Sequence, residues 1–137
     1  SARRDGGVFL CGGHRRPGPG YFFEPTIVTG LSDGSRLVDA EPFGPIVPVI
    51  RYADVDEVIA RANANAQGLG GSVWSADPAR AAALAQRLEC GIAWVNEHGA
   101  VQPDAPFGGI KQSGIGVEFG RHGLLEFTTL QTLRVAK

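Results

Sequence analysis

A chain of 137 residues with 43% hydrophobic and 20% charged side chains has the make-up of a globular protein with one core, since a domain of this size buries roughly 68% of the surface its unfolded chain exposes. Thirteen Lys and Arg against fourteen Asp and Glu leave a net charge of -1, which argues against nucleic acid or an anionic membrane as partner and for small, weakly charged ligands. No apolar run approaches the roughly 18 residues of a membrane span, and Ser1–Asp5 holds no signal-peptide core, so the cytoplasm is the expected compartment.

In chain order, Val8–Leu10 is a short apolar run closed by Gly12 and Gly13 and is expected to be a strand. The Pro/Gly-rich stretch after it is a loop, and Thr26–Val28 follows Pro25 as a second strand fragment. Ile46–Tyr52 is β-branched enough for a buried strand, with Pro48 forcing it toward an edge or a bulge. Asp54 precedes Glu57 by three residues in a capping-box pattern, and Val55, Val58, Ile59 and Ala62 follow at helical spacing, so a helix is expected to about Asn65.

Ser72–Ser75 is the next strand candidate. Asp77-Pro78 supplies an N-cap with proline at the first helical position, and Ala81, Leu84, Ala85 and Leu88 line one face of a helix that closes at Cys90-Gly91. Ile92–Val95 is then a strand. The alternation of strand and helix from Ile46 to Asn96, with crossover helices of about a dozen residues, predicts an α/β fold built from βαβ units on a parallel sheet. Glu97 to Gly116 reads as a long loop of the kind that is usually functional or disordered. A short helix is expected near Glu118–Leu125, and Thr128–Val135 as a terminal strand with nothing local to pair with, an edge open to a second chain.

The segment with most chemical content is Glu41-Pro42-Phe43-Gly44-Pro45. Its prolines and glycine suggest a stiff turn that holds one carboxylate and one aromatic ring. A carboxylate can accept hydrogen bonds from both hydroxyls of a sugar diol, and the ring offers a face to a flat heterocycle. On composition alone, a surface carboxylate beside a buried ring is the competing reading. Lys111 is tempting as a base, but a lysine among glycines is more often solvated or capping carbonyls. Gly109 to Gly114 lacks the lysine of a phosphate-binding loop, and Gly114 to Gly120 misses the dinucleotide fingerprint by one residue. His14, His98 and His122 are too scattered for a metal site, so no metal is expected. Cys11 and Cys90 show no metal spacing; counting leaves a disulfide or two free thiols open, and a reducing cytosol favours two buried free thiols.

These motifs resemble those of the NAD(P)-dependent aldehyde dehydrogenases. Glu41-Pro42-Phe43-Gly44-Pro45 is similar to the family's Glu-x-Phe-Gly-Pro, and Pro106-Phe107-Gly108-Gly109-Ile110-Lys111-Gln112-Ser113-Gly114-Ile115-Gly116, with Glu118 and Gly120, resembles its C-terminal signature. Val117 departs from the arginine of many members. Gly20 to Thr26, Gly68-Leu69 and Trp94-Val95-Asn96 match further segments in the same order, so the resemblance extends from about Gly7 to Val135.

The resemblance implies that Glu41 holds the nicotinamide ribose of NAD or NADP, that Phe43 packs beside the nicotinamide, and that Leu69 touches the same cofactor. It implies that His98, Val101 and Phe107 line the aldehyde channel. An idle loop histidine for His98, and a core plug for Phe107, are the bland alternatives. The family's Gly-Gln-x-Cys nucleophile and Glu-Leu-Gly-Gly-Lys base segments are absent, and neither cysteine stands in such a setting, so no catalytic residue is assigned.

By this resemblance residues 1–127 are the C-terminal part of the catalytic domain. Residues 128–137 are the oligomerisation strand and tail, joining a homo-oligomer through Thr128–Val135. The expected function is a share of aldehyde oxidation to carboxylate through a cysteine thioester, with no activity in isolation. The alternative is a stand-alone assembly or binding module of the same fold.

Overall fold

A computed structural model describes all 137 residues, which divide into two compact units, Ser1–Ala53 and Asp54–Lys137. In the first unit, β1 (Val8–Cys11), β2 (Thr26–Thr29) and β3 (Ile46–Pro48) form a three-stranded sheet in that order, with the short helix α1 (Arg36–Asp39) between β2 and β3. β1 runs antiparallel to β2, and β3 runs parallel to it. β3 is an edge strand, which is where a proline that cannot donate to a ladder is tolerated. Val49 N–H nevertheless continues the pairing by donating to the Val28 carbonyl at 2.8 Å.

The register sorts the side chains of this sheet by face. Phe9 is opposite Val28, and Thr26 is opposite Ile46. Val28 is fully buried in a cluster with Ala2, Leu31 and Leu37, against which Phe9, Val38 and Ile46 pack. Val8, Ile27 and Val47 share the opposite face by the two-residue period of a strand, Cys11 joins them opposite Ile27 through a register shift after Phe9, and all four are exposed. A sheet apolar on both sides therefore buries only one of them within this chain.

The second unit begins with α2 (Val55–Asn63). Its cap is the expected one: the Asp54 carboxylate accepts from Glu57 N–H at 2.8 Å. β4 (Gln67–Gly68) and β5 (Gly70–Val73) follow, then α3 (Pro78–Ala85), β6 (Ile92–Val95), β7 (Ile110–Lys111) and α4 (Gly120–Leu125). The α3 cap is Asp77, which accepts from Ala79 and Arg80 N–H groups at 3.0 and 3.1 Å. α3 packs on β5 and β6, which pair in parallel from Gly70↔Ile92 to Val73↔Val95. This is one βαβ unit, with Ala81, Ala85 and Trp94 buried in its core.

The structure corrects several expectations. The fold is mixed α/β, but not a single parallel sheet: β3 hydrogen-bonds to β2, while β5 pairs with β6 and β4 with β7, giving three separate small sheets. β3 stops at Pro48, well short of Tyr52, and the strand foreseen at Ser72–Ser75 lies earlier, at Gly70–Val73. Both longer helices end sooner than their apolar spacing suggested, at Asn63 and Ala85. The long loop after Asn96 is interrupted by β7, which pairs antiparallel with β4.

Thr128–Val135 forms no strand in the single chain, where Leu130, Leu133 and Val135 are exposed. Both thiols are free, but Cys11 is exposed because it lies on the open face of the first sheet. No helix is long and apolar enough to cross a membrane.

Candidate functional site

The Glu41–Pro45 turn leaves α1 through Ala40, whose extended backbone ends the helix. Two successive hydrogen bonds from residue i+2 to residue i tighten it: Gly44 N–H donates to the Pro42 carbonyl at 2.9 Å, and Ile46 N–H to the Gly44 carbonyl at 2.8 Å. The Pro45 carbonyl then accepts from Thr26 N–H at 2.8 Å, fixing the turn to β2. Gly44 does not adopt positive φ, and a Cβ there would meet nothing within 4 Å. The stiffness therefore comes from the prolines and these hydrogen bonds, and not from glycine geometry.

The anchor is itself well made. Thr26 is 3% exposed, and its hydroxyl donates to the Glu24 carbonyl at 2.7 Å while accepting from Gly13 N–H at 2.7 Å. At the tip of the turn the Glu41 carboxylate is exposed and makes no hydrogen bond or ion pair within the chain. The Phe43 ring is 98% exposed, so the buried-ring alternative does not hold for this chain. A free carboxylate and a free ring face two residues apart are chemically suited to a ribose diol and a flat heterocycle.

The remaining candidates lie in the second unit. Leu69 sits between Gly68 and Gly70 and is partly exposed. Its carbonyl accepts from Ile92 N–H at 3.1 Å, so the backbone of Leu69 is locked to the start of β6. Gly70 is small for a reason, since a Cβ there would come within 2.5 Å of the Trp94 ring. Asn96 turns the chain at the end of β6 with φ of 55°. Its carboxamide is bonded to both backbone groups of Ser75, accepting at 2.8 Å and donating at 2.9 Å.

The chain leaving Asn96 folds back over Trp94. The His98 ring meets the indole edge-on, with centroids 5.1 Å apart at 61°, and Trp94 Nε1 donates to the Ala100 carbonyl at 2.8 Å. Val101, next along, is partly exposed. Phe107 is half-buried, and its N–H and carbonyl both pair with those of Glu118 at 2.7 Å. The structure thus draws Leu69, His98 and Phe107 onto one framework through Trp94 and the Gly91–Gly108 contact, where a Cβ on Gly91 would strike the Gly108 carbonyl.

Residues not assigned a role from sequence hold this framework. Ser113 Oγ accepts from Gly68 N–H at 2.8 Å and donates to Gln67 Oε1 at 3.1 Å. Lys111 Nζ donates to the Asn63 carbonyl at 2.6 Å and pairs with Glu89 at 3.0 Å, the carbonyl-capping alternative to a catalytic base. Trp94 and Asn96 carried a sequence signal as part of a family segment, whereas Asn63 carried none beyond its place at the end of a helix.

The aldehyde dehydrogenase family description matches residues 1–133. The chain is 43% identical over 129 residues to the NADP(+) succinate-semialdehyde dehydrogenase of Deinococcus radiodurans, covering 94% of this chain and 27% of that enzyme. It is 38% identical over 133 residues to the mouse protein named aldehyde dehydrogenase, cytosolic 1, covering 97% of this chain and 26% of that one. Among solved structures, betaine aldehyde dehydrogenase from Staphylococcus aureus in complex with NAD+ superposes with a TM-score of 0.86 at 38% identity, over 92% of this chain and 26% of that one. The chain spans about a quarter of the length of these relatives. It belongs to the aldehyde dehydrogenase family.

Proposed function

We propose that the chain is the C-terminal part of an NAD(P)-dependent aldehyde dehydrogenase, which oxidises an aldehyde to a carboxylate through a cysteine thioester held elsewhere in the complete enzyme. In this reading Glu41 binds the nicotinamide ribose, Phe43 packs beside the nicotinamide ring and Leu69 touches the same cofactor. His98, Val101 and Phe107 wall the aldehyde channel, and Thr128–Val135 joins subunits. When bound, NAD or NADP supplies the hydride acceptor. The residues of this chain bind, orient and exclude water, and none of them attacks the carbonyl. The protein works in the cytoplasm, the compartment named for its mouse relative.

The observation that carries this reading is the free Glu41 carboxylate and Phe43 ring on a turn fixed to β2, in a chain spanning about a quarter of its relatives. The exposed apolar face of the first sheet agrees with it, because Val8, Ile27 and Val47 leave apolar surface that this chain alone does not cover. The test has two arms. The 137-residue chain, given a panel of aldehydes with NAD+ or NADP+, should produce no reduced-nicotinamide absorbance. In the complete polypeptide carrying this segment, Glu41→Ala should lower turnover about 10-fold or more through misplaced cofactor. Turnover by the chain alone, or an unimpaired Glu41→Ala enzyme, would overturn the reading.

A further inference from the structure

We infer that Asn63 is the positioning residue that sets Leu69 and Phe107, acting through the turn between α3 and β6. One residue at the C-terminal end of α2 makes three connections to other segments. Its Nδ2 donates to the Arg87 carbonyl at 2.8 Å, its Oδ1 accepts from Glu89 N–H at 2.9 Å, and its own carbonyl accepts from Lys111 Nζ at 2.6 Å. Lys111 returns to the same turn through its ion pair with Glu89 at 3.0 Å. Three points of attachment on Arg87, Glu89 and β7 leave the turn little freedom.

That turn carries what the candidate residues rest on. Gly91 N–H donates to the Gly68 carbonyl at 3.0 Å, and Ile92 N–H to the Leu69 carbonyl, so the position of the turn fixes the backbone on both sides of Leu69. Gly91 also abuts the Gly108 carbonyl, immediately after Phe107. A backbone contact this close allows no slack, and a shift of the turn is passed to Phe107. Asn63 touches neither candidate residue through its own hydrogen bonds. It acts on them through Glu89 and Gly91. Lys111, whose side chain is 23% exposed and whose φ is 56°, serves the same arrangement by satisfying the end of α2.

The inference rests on the proposed roles of Leu69 and Phe107 for its meaning, but not for its test, which reads positions and not catalysis. Backbone amide exchange and the Leu69 methyl and Phe107 ring resonances would be measured by NMR on the 137-residue chain. Asn63→Ala removes both side-chain bonds; Asn63→Asp keeps an acceptor for Glu89 N–H but sets a carboxylate oxygen against the Arg87 carbonyl in place of the donor. Exchange at Glu89 should rise about tenfold in Asn63→Ala, with shifted Leu69 and Phe107 signals and unchanged protection at Val28 and Ala81. Asn63→Asp should hold Glu89 protection and near-native Leu69 and Phe107 signals. Equal loosening of Ala81 and Glu89, or a mobile Glu89 with Leu69 and Phe107 unmoved, would overturn the inference. If Asn63→Ala does not fold, Asn63→Asp decides: displaced Leu69 and Phe107 signals beside a protected Glu89 would refute it.

Discussion

Gly91 lies against the carbonyl oxygen of Gly108 so closely that no side chain fits between them: a Cβ at position 91 would overlap that oxygen and also stand 3.2 Å from the Leu69 carbonyl. Both obstacles are backbone, and neither can swing aside as a side chain would. Gly91→Ala should therefore destabilise the chain, the overlap outweighing the roughly 0.4–1 kcal/mol by which a less flexible unfolded chain favours folding, with a net cost in the range of overpacking, about 1–3 kcal/mol or above. Chemical denaturation of the chain measures it. An alanine variant of wild-type stability would mean that the 108 backbone moves freely, and the link between Phe107 and the β6 turn would be lost with it.

Thr26 offers a second measurable point, this time beneath the Glu41 turn. Its buried hydroxyl both donates to Glu24 and accepts from Gly13. Valine has nearly the same shape and neither function, so Thr26→Val leaves one partly buried acceptor and one partly buried donor without their partner. Each unsatisfied group costs about 1–3 kcal/mol, and the midpoint of urea unfolding should fall accordingly. Because Thr26 N–H also holds the Pro45 carbonyl, the Phe43 ring should become more mobile by NMR relaxation. Thr26→Ser, which retains the hydroxyl, should restore most of the stability.

How far these features could be read from sequence depends on the distance over which they are determined. The Asp54 and Asp77 caps were legible because a cap is decided within four residues, and the Glu41 turn was legible as a stiff element for the same reason. Its source of stiffness was not, since Gly44 has ordinary backbone angles and the anchor is Thr26, fifteen residues before Glu41 in chain order but adjacent to the end of the turn in the sheet. Strand partnership was misread for the same physical reason: β3 had equal local claim to any parallel neighbour, and only long-range pairing selects β2. Asn63 was invisible because an asparagine ending a helix is common, and its partners Arg87, Glu89 and Lys111 come together only in the fold.

The thiols separate the two faces of the first sheet from the interior of the second unit. Cys11 lies on the exposed face with Ile27 as its register partner, whereas Cys90 is partly covered and its Sγ–H donates to the Ile92 carbonyl at 3.0 Å. Reaction with a thiol reagent under native conditions should therefore be biphasic, one equivalent fast and one slow. Mass spectrometry of the early product should place the label on Cys11. Equal rates would contradict the burial of Cys90, and a preference for Cys90 would show that the open face of the sheet is covered in solution.

The tail supplies the last test, because its residues contribute apolar surface without contributing to the fold of the single chain. Leu130, Leu133 and Val135 are exposed, and the final hydrogen bonds before the tail are those by which Phe127 and Thr128 close α4 on Leu124 and Leu125. Removing residues 129–137 should therefore leave the thermal midpoint of the isolated chain within a degree or two, since a segment that buries little contributes little to stability. On the proposed subunit contact, the same deletion in the complete enzyme should convert an oligomer to a smaller species by light scattering, because an extended segment with no partner in its own chain would gain backbone hydrogen bonds only from a second one. A large fall in the midpoint of the isolated chain would show that the tail packs against its own fold. An unchanged oligomer after deletion would remove Thr128–Val135 from the subunit contact and leave the exposed sheet face as the surface to examine.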